Sequence, residues 1–248
     1  VRRQRLALQH KNHSTRENFM KTEETKPCGT KRAVQVMRAA FCIALLAAAL
    51  SIFPAAGHAY LEKPADVIEK DCGAANIGGK KILIAYDTKH GATSSIADRI
   101  ADVLCAEGFQ VELRMARKVK DVSAYDAVIA GSPIYLFNWL PGTTNFLNKF
   151  KTALTDKPVA LFITCTYLKD DNDTPDRRAH AVELYIKPVM DKTGIEPISS
   201  GVLSGEFQYS ELYPLEFILM KLSKFEEGDF RNWDKIEAWA QEVAALVK

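Results

Sequence analysis

Residues Lys81 to Ser95, KILIAYDTKHGATSS, restrict the fold more than any other stretch of the chain. Ile82, Leu83, Ile84 and Ala85 form a short apolar run, the pattern of a strand covered on both faces. From Thr93 onward apolar residues recur at helical spacing, at Ile96, Ile100, Val103 and Leu104, with small Ala97 and Ala101 beside them. Between strand and helix lies Thr88-Lys89-His90-Gly91-Ala92-Thr93, or T-x-x-G-x-T. Such a loop directs successive backbone N–H groups and two hydroxyls toward one point, where the helix dipole also favours an anion. A phosphate monoester suits that point. The simpler alternative is an ordinary strand-to-helix turn capped by Thr93. No G-x-x-x-x-G-K-[ST] occurs, and no G-x-G-x-x-G follows the strand, which argues against a nucleotide triphosphatase and a dinucleotide-binding turn.

The chain beyond this stretch keeps alternating strand and helix patterns. Gln110–Met115, Ala127–Gly131, Pro158–Thr164 and Ile195–Leu203 read as further strands. Pro141 opens a helix carrying Phe146, Phe150 and Leu154, and Thr174-Pro175 supply the N-cap and first residue of another. Trp233–Val247 reads as the last helix, with Ile236, Trp239, Ala240, Val243 and Val247 on one face. This alternation predicts a doubly wound α/β domain with a parallel sheet. Ligands in such sheets bind beyond the carboxyl ends of the strands, so the loops after the first, third and fourth strands should converge.

The T-x-x-G-x-T loop resembles the phosphate loop of flavodoxins. Further segments share the resemblance: Y-D-A-V-I-A-G-S-P-I-Y-x-x-x-W-L-P, then P-V-A-L-F and D-T-P-D-R-R, then G-D-F-R-N-W-D-K-I-E-A-W-A. Over residues 80–248 the chain resembles the flavodoxin-domain family, and within it the branch of menaquinone-dependent protoporphyrinogen IX dehydrogenases. The resemblance implies a flavodoxin-like five-stranded parallel sheet in the order 2-1-3-4-5, with helices on both faces. It also implies FMN as cofactor, held at the phosphate by Thr88, Lys89, His90, Gly91, Ala92 and Thr93. The second loop would offer Ser132, Pro133, Ile134, Tyr135, Phe137, Asn138 and Trp139 to the flavin ring; the bland reading is that its aromatics cover the sheet end. The third loop, Thr164, Cys165, Thr166 and Tyr167, would meet the other ring edge. Lys89 departs from the usual flavodoxin loop and is expected to point to solvent. In that branch electrons pass from a reduced substrate, a porphyrinogen, through FMN to a quinone. A flavodoxin-type carrier serving a redox protein partner, or a flavin-free binding domain, is the alternative. The sequence offers no catalytic base, metal cluster or Ser-His-Asp pattern, and Arg177, Arg178 and His180 read as solvated helix residues.

Residues 1–59 read as a leader: a basic start, the uncharged run at 39–56, and small residues at 57–59. Cleavage after Ala59 would start the mature chain at Tyr60 and export it, with a periplasmic or membrane-associated location; an uncleaved anchor is the alternative. A leader without function would leave the chain on the cytoplasmic face of the membrane. Ten of the 33 Lys and Arg, but three of the 31 Asp and Glu, fall before residue 60. The remainder is therefore acidic, which excludes nucleic acid as a natural partner. Residues 60–79 read as a linker. Beyond the leader stand Cys72, Cys105 and Cys165, an odd count without C-x-x-C, which argues against a disulfide framework; Cys105 is expected in the core. Tyr209–Phe225 carries an apolar helical face that either meets a membrane surface or quinone entrance, or packs under the sheet.

Overall fold

The computed structural model of the protein describes residues 66–75, 78–169 and 173–248. The leader at 1–59 and the start of the 60–79 segment lie outside the described residues. The strands of the main sheet are β1 (Lys70–Cys72), β2 (Lys81–Tyr86), β3 (Gln110–Met115), β4 (Ala127–Tyr135), β5 (Asn138–Trp139), β6 (Val159–Cys165) and β7 (Ser199–Ser204), and Glu206–Phe207 with Gly228–Asp229 makes a separate two-stranded sheet. The helices are α1 (Ala92–Ala106), α2 (Pro141–Leu154), α3 (Pro175–Ala181), α4 (Lys187–Thr193), α5 (Pro214–Leu222) and α6 (Trp233–Val247).

The main sheet runs β1-β3-β2-β4-β6-β7. Its five parallel strands, β3-β2-β4-β6-β7, stand in the expected 2-1-3-4-5 order, and β1 adds an antiparallel edge. The segment read as a linker thus contributes a strand. It is also covalently fastened: Cys72 and Cys105 form a disulfide, with Cα atoms 6.0 Å apart. The odd cysteine count misled because pairing depends on distance between side chains, and the third cysteine, Cys165, simply stays free.

Successive residues of β2 enter opposite cores, as the two-residue strand period requires. Ile82, Ile84 and Tyr86 pack with α1 and α6, while Leu83 and Ala85 pack with α2 and the α3–α4 layer. Both faces of the parallel strands are covered, which explains their unbroken apolar runs. Gly108 ends α1 at φ 96°, where a Cβ would be strained. Between α3 and α4 the chain takes one π-helical stretch, Val182–Ile186. Pro188 lacks the N–H that a regular turn would direct at Leu184, and its ring crowds that carbonyl, so the ladder widens there.

Candidate functional site

The phosphate-loop candidate is built by the end of β2 and the start of α1. Gly91 occupies the N-cap of α1 at φ 94°, and among the described residues no side chain caps the helix. A capped turn centred on Thr93 does not form. The Thr88 hydroxyl instead accepts the Gly91 N–H at 3.1 Å. Thr93 is buried, and its hydroxyl shares a 2.7 Å hydrogen bond with that of Thr164. The first and third loops are thereby joined, and Ala92 and Thr93 stand at the helix start, where the leading amides of a helix have no partner within it. Arg231 meets the same helix turn: its Nη1 donates to Ser95 Oγ at 2.7 Å, while Asp229 and Glu206 pair with it and balance its charge.

Asp87, just before the loop, is buried and accepts the backbone N–H groups of Thr88 and Gly142. Burial pushes its carboxyl above the ordinary range, with those amides and Arg117 opposing. It ties this loop to the start of α2. A methyl group on Gly142 would fall 2.1 Å from Asp87 Oδ2.

The second loop is a hairpin in which Ile134 pairs with Trp139 and Tyr135 with Asn138. Leu136 and Phe137 form its two-residue turn, both at positive φ (47° and 65°). That is the backbone hand hairpins favour, yet Leu and Phe bear a cost of about 1–2 kcal/mol per residue there. Asn138 Nδ2 donates to the Leu136 carbonyl at 2.8 Å and helps hold the turn. Phe137 is left 77% exposed at the tip. Trp139 is core: it is 7% exposed and donates its Nε1–H to the Tyr185 carbonyl at 2.8 Å. Ser132 is fully buried and accepts the Leu140 N–H, and Ile134 packs on the same core, so these residues shape the loop from beneath. Pro133 and Tyr135 are half-buried above them.

In the third loop Thr164 is buried and Cys165, Thr166 and Tyr167 are partly exposed. Burial pushes the Cys165 thiol above its ordinary range, so it stays protonated at neutral pH. Tyr167 packs against the core, and the Arg177 guanidinium lies 5.1 Å from its ring centroid, with the His180 ring beyond. Arg177 therefore has a structural contact that its solvated reading missed.

The 209–225 segment does not pack under the sheet. No residue of α5 is buried, and Phe217, Ile218 and Leu222 stand exposed. It stands beside the first two loops, tied to them by one carboxylate. Glu216 accepts the Tyr213 N–H as the helix cap at 3.2 Å, receives the Tyr135 hydroxyl, and pairs with Lys89 Nζ at 2.7 Å. Lys89 also lies 3.5 Å from the Tyr135 ring centroid. The expectation that Lys89 points to solvent is thus corrected: a low-dielectric pocket with an anion and an aromatic face holds it more firmly than water does. His90 stands 3.6 Å from the same carboxylate and packs near the Tyr213 ring.

Burial raises the Glu216 carboxyl, but Lys89 and the Tyr135 hydroxyl outweigh it and hold the group below its usual range. Burial, then the bond to Glu216, pushes the Tyr135 phenol far above its ordinary value. The folded carboxyl binds its proton more weakly than the unfolded one. Its contribution to α5 docking is therefore complete above the ordinary carboxylate range and fades as pH falls through the folded value. Acidification below about pH 4, near the free glutamate value, should raise amide exchange selectively across 209–225. Glu216→Gln should show the raised exchange at neutral pH. An α5 whose exchange is the same in both proteins at every pH would remove the pair from its docking.

Glu216, Asp87 and Arg231 were not singled out from sequence. A signal existed for the first alone: the Y-P-x-E run before apolar residues matches an N-cap followed by a glutamate three places on.

The family described as Flavodoxin domain matches residues 83–234. Protoporphyrinogen IX dehydrogenase (quinone) of Escherichia coli strain K12 is 22% identical over 177 residues, covering 67% of this chain and 96% of that protein. A flavodoxin from the domain Archaea is 14% identical, covering 67% of this chain and 98% of that one at a TM-score of 0.43. The two-electron reduced Megasphaera elsdenii flavodoxin is 19% identical, covering 66% and 98% at a TM-score of 0.42.

Proposed function

The chain belongs to the flavodoxin domain family, and from that premise we propose that it is an FMN-dependent oxidoreductase passing electrons from a reduced organic donor to a quinone. The observation that carries the proposal is the joined first and third loops. The Thr93–Thr164 hydroxyl bond brings them together beside an uncapped helix start with Gly91 in the left-handed region. Those residues fit a phosphate monoester. Thr88 and the amides of Ala92 and Thr93 would hold the phosphate, and the hairpin at 132–139 with Cys165, Thr166 and Tyr167 would border the ring. The flavin, when bound, supplies the electron transfer; the protein supplies orientation and electrostatics.

The likeness to the Escherichia coli dehydrogenase supports a quinone acceptor and a porphyrinogen donor. Exposed Phe217, Ile218 and Leu222, with Lys221 and Lys224 on the same segment, support docking at an anionic membrane surface where a quinone is reached. The Cys72–Cys105 disulfide supports export, since such bonds persist in oxidising compartments. Among the described residues no helix is long and apolar enough to cross a membrane.

Purified protein is expected to carry one flavin, seen by visible absorption and identified as FMN on release, and to reduce a soluble quinone with a porphyrinogen as donor. A colourless protein that takes up no FMN overturns the reading. Flavin without quinone reduction leaves the electron carrier in its place. For the surface, replacing Ile218 and Leu222 with Glu should abolish co-sedimentation with anionic vesicles at unchanged melting temperature, because both stand well exposed. Undiminished co-sedimentation would clear α5 of that role. N-terminal sequencing of the native protein should start at Tyr60, and an intact leader would sink the export proposal.

A further inference from the structure

The segment 66–72 lies outside the residues matched by the family, yet its bonds run to both flanks of the phosphate loop. Its backbone at Ile68 donates to Tyr86 Oη at 3.0 Å and to Ser94 Oγ at 2.8 Å, and its carbonyl accepts the Tyr86 hydroxyl at 2.7 Å. Tyr86 ends β2 immediately before the loop, and Ser94 sits in the first turn of α1 immediately after it. Tyr86 Oη and Ser94 Oγ also bond one another at 2.8 Å, so the loop is closed at its base by a buried hydroxyl pair that Ile68 completes. Two residues earlier, Asp66 covers Gly91 itself. A methyl group on Gly91 would lie 3.6 Å from Asp66 Cβ and 3.7 Å from its backbone nitrogen. At its other end the segment pairs with β3 as β1 and closes on α1 through Cys72–Cys105.

We propose that Asp66–Cys72 is a working part of the phosphate site, and that the Cys72–Cys105 disulfide is its latch, so that tight cofactor retention requires the oxidised protein. β1 is three residues long and occupies a sheet edge, a short element held weakly by its own ladder. Lys70 pairs with Asp98 and Asp102 of α1, and Glu69 with Lys118, all partly exposed contacts that salt and water weaken. Among these fastenings the covalent bond is the one that only a reductant breaks. Its cleavage by a dithiol balances simply. Two electrons and two protons pass to Cys72 and Cys105, the Sγ–Sγ bond becomes two thiols, and the reductant closes to its own disulfide. Release of the strap withdraws the Ile68 backbone from Tyr86 and Ser94 and uncovers Gly91, leaving the loop free to leave the geometry an anion needs.

The inference rests on the FMN reading, and its test separates the two. FMN is titrated by fluorescence quenching into the oxidised full chain, the dithiol-reduced chain and Cys72→Ser/Cys105→Ser, while amide exchange is followed at 88–95 without FMN. The oxidised protein is expected to bind; the reduced and double-Ser proteins are expected to bind at least tenfold more weakly, with faster exchange at 88–95 and the far-ultraviolet dichroism retained. Tyr86→Phe, which leaves the disulfide in place, should give part of the same loss. If the oxidised protein does not bind FMN, the cofactor reading fails. If it binds and the reduced and double-Ser proteins bind equally well, with unchanged exchange at 88–95, the latch is overturned, whatever Tyr86→Phe does. Should the double-Ser protein fail to fold, the reduced wild type carries the same comparison.

Discussion

Gly91→Val is expected to reduce FMN affinity by about a hundredfold or more, with the fold intact by circular dichroism. Gly91 sits at φ 94°, a region that a β-branched residue enters only as an outlier. Valine would turn the loop peptide to relieve that strain and carry the amides of Ala92 and Thr93 off their common focus. Two hydrogen bonds to a charged phosphate contribute roughly 1.5–3 kcal/mol each, and about 1.4 kcal/mol is a factor of ten. Thr88→Val with Thr93→Val should cost at least tenfold through a different route. The first removes the acceptor for the Gly91 N–H, and the second the tie to Thr164. Fluorescence titration reads all of these, and unchanged affinity in both proteins would take the loop out of the site.

The largest stability effect is expected on a row across the sheet. Gly131, Phe162 and Gly201 are register neighbours on β4, β6 and β7. The fully buried Phe162 ring covers Gly131, where a methyl group would fall 2.0 Å from its Cζ. The Trp239 ring covers Gly201 in the same way, with its Cε2 2.8 Å from such a methyl, and packs 5.7 Å from Phe162. Phe162→Ala should cost about 3–5 kcal/mol, a large part of the roughly 5–15 kcal/mol that holds a domain together. Gly131→Ala overpacks the same space and should cost at least about 1–3 kcal/mol. Combined, the two should cost less than their sum, because the new methyl enters the volume the ring vacates. Urea melts that give strict additivity would show that the ring does not occupy that space.

Much of this architecture follows from local pattern. The apolar runs at 82–85, 127–131 and 159–164 are legible because a strand covered on both faces has no polar position to interrupt it. Gln110–Met115 and Trp233–Val247 have the same bounds in sequence and structure. In the first, alternation matches the burial of every second residue; in the second, Asn232 caps the helix by accepting the Lys235 N–H at 3.0 Å. The turn at Gly91 was legible for a related reason: a glycine between a strand and a helix pattern marks a backbone that turns left-handed, and Gly91 does so at φ 94°.

Other features were decided by tertiary structure. Lys89 has no sequence neighbour that would draw it inward; its partner Glu216 arrives from 127 residues away on a helix whose placement no local pattern encodes. Trp139 reads from sequence as either a ring contact or core, and the hairpin register, pairing it with Ile134, turns it inward. Cys72 and Cys105 are separated by 33 residues, and the pairing of β1 with β3 together with the packing of α1 beside them brings the pair within bonding distance. Sequence by itself determined the elements, because burial and hydrogen bonding repeat at the strand and helix periods. Tertiary structure decided which side chains meet, because a contact between distant residues leaves no period in the chain.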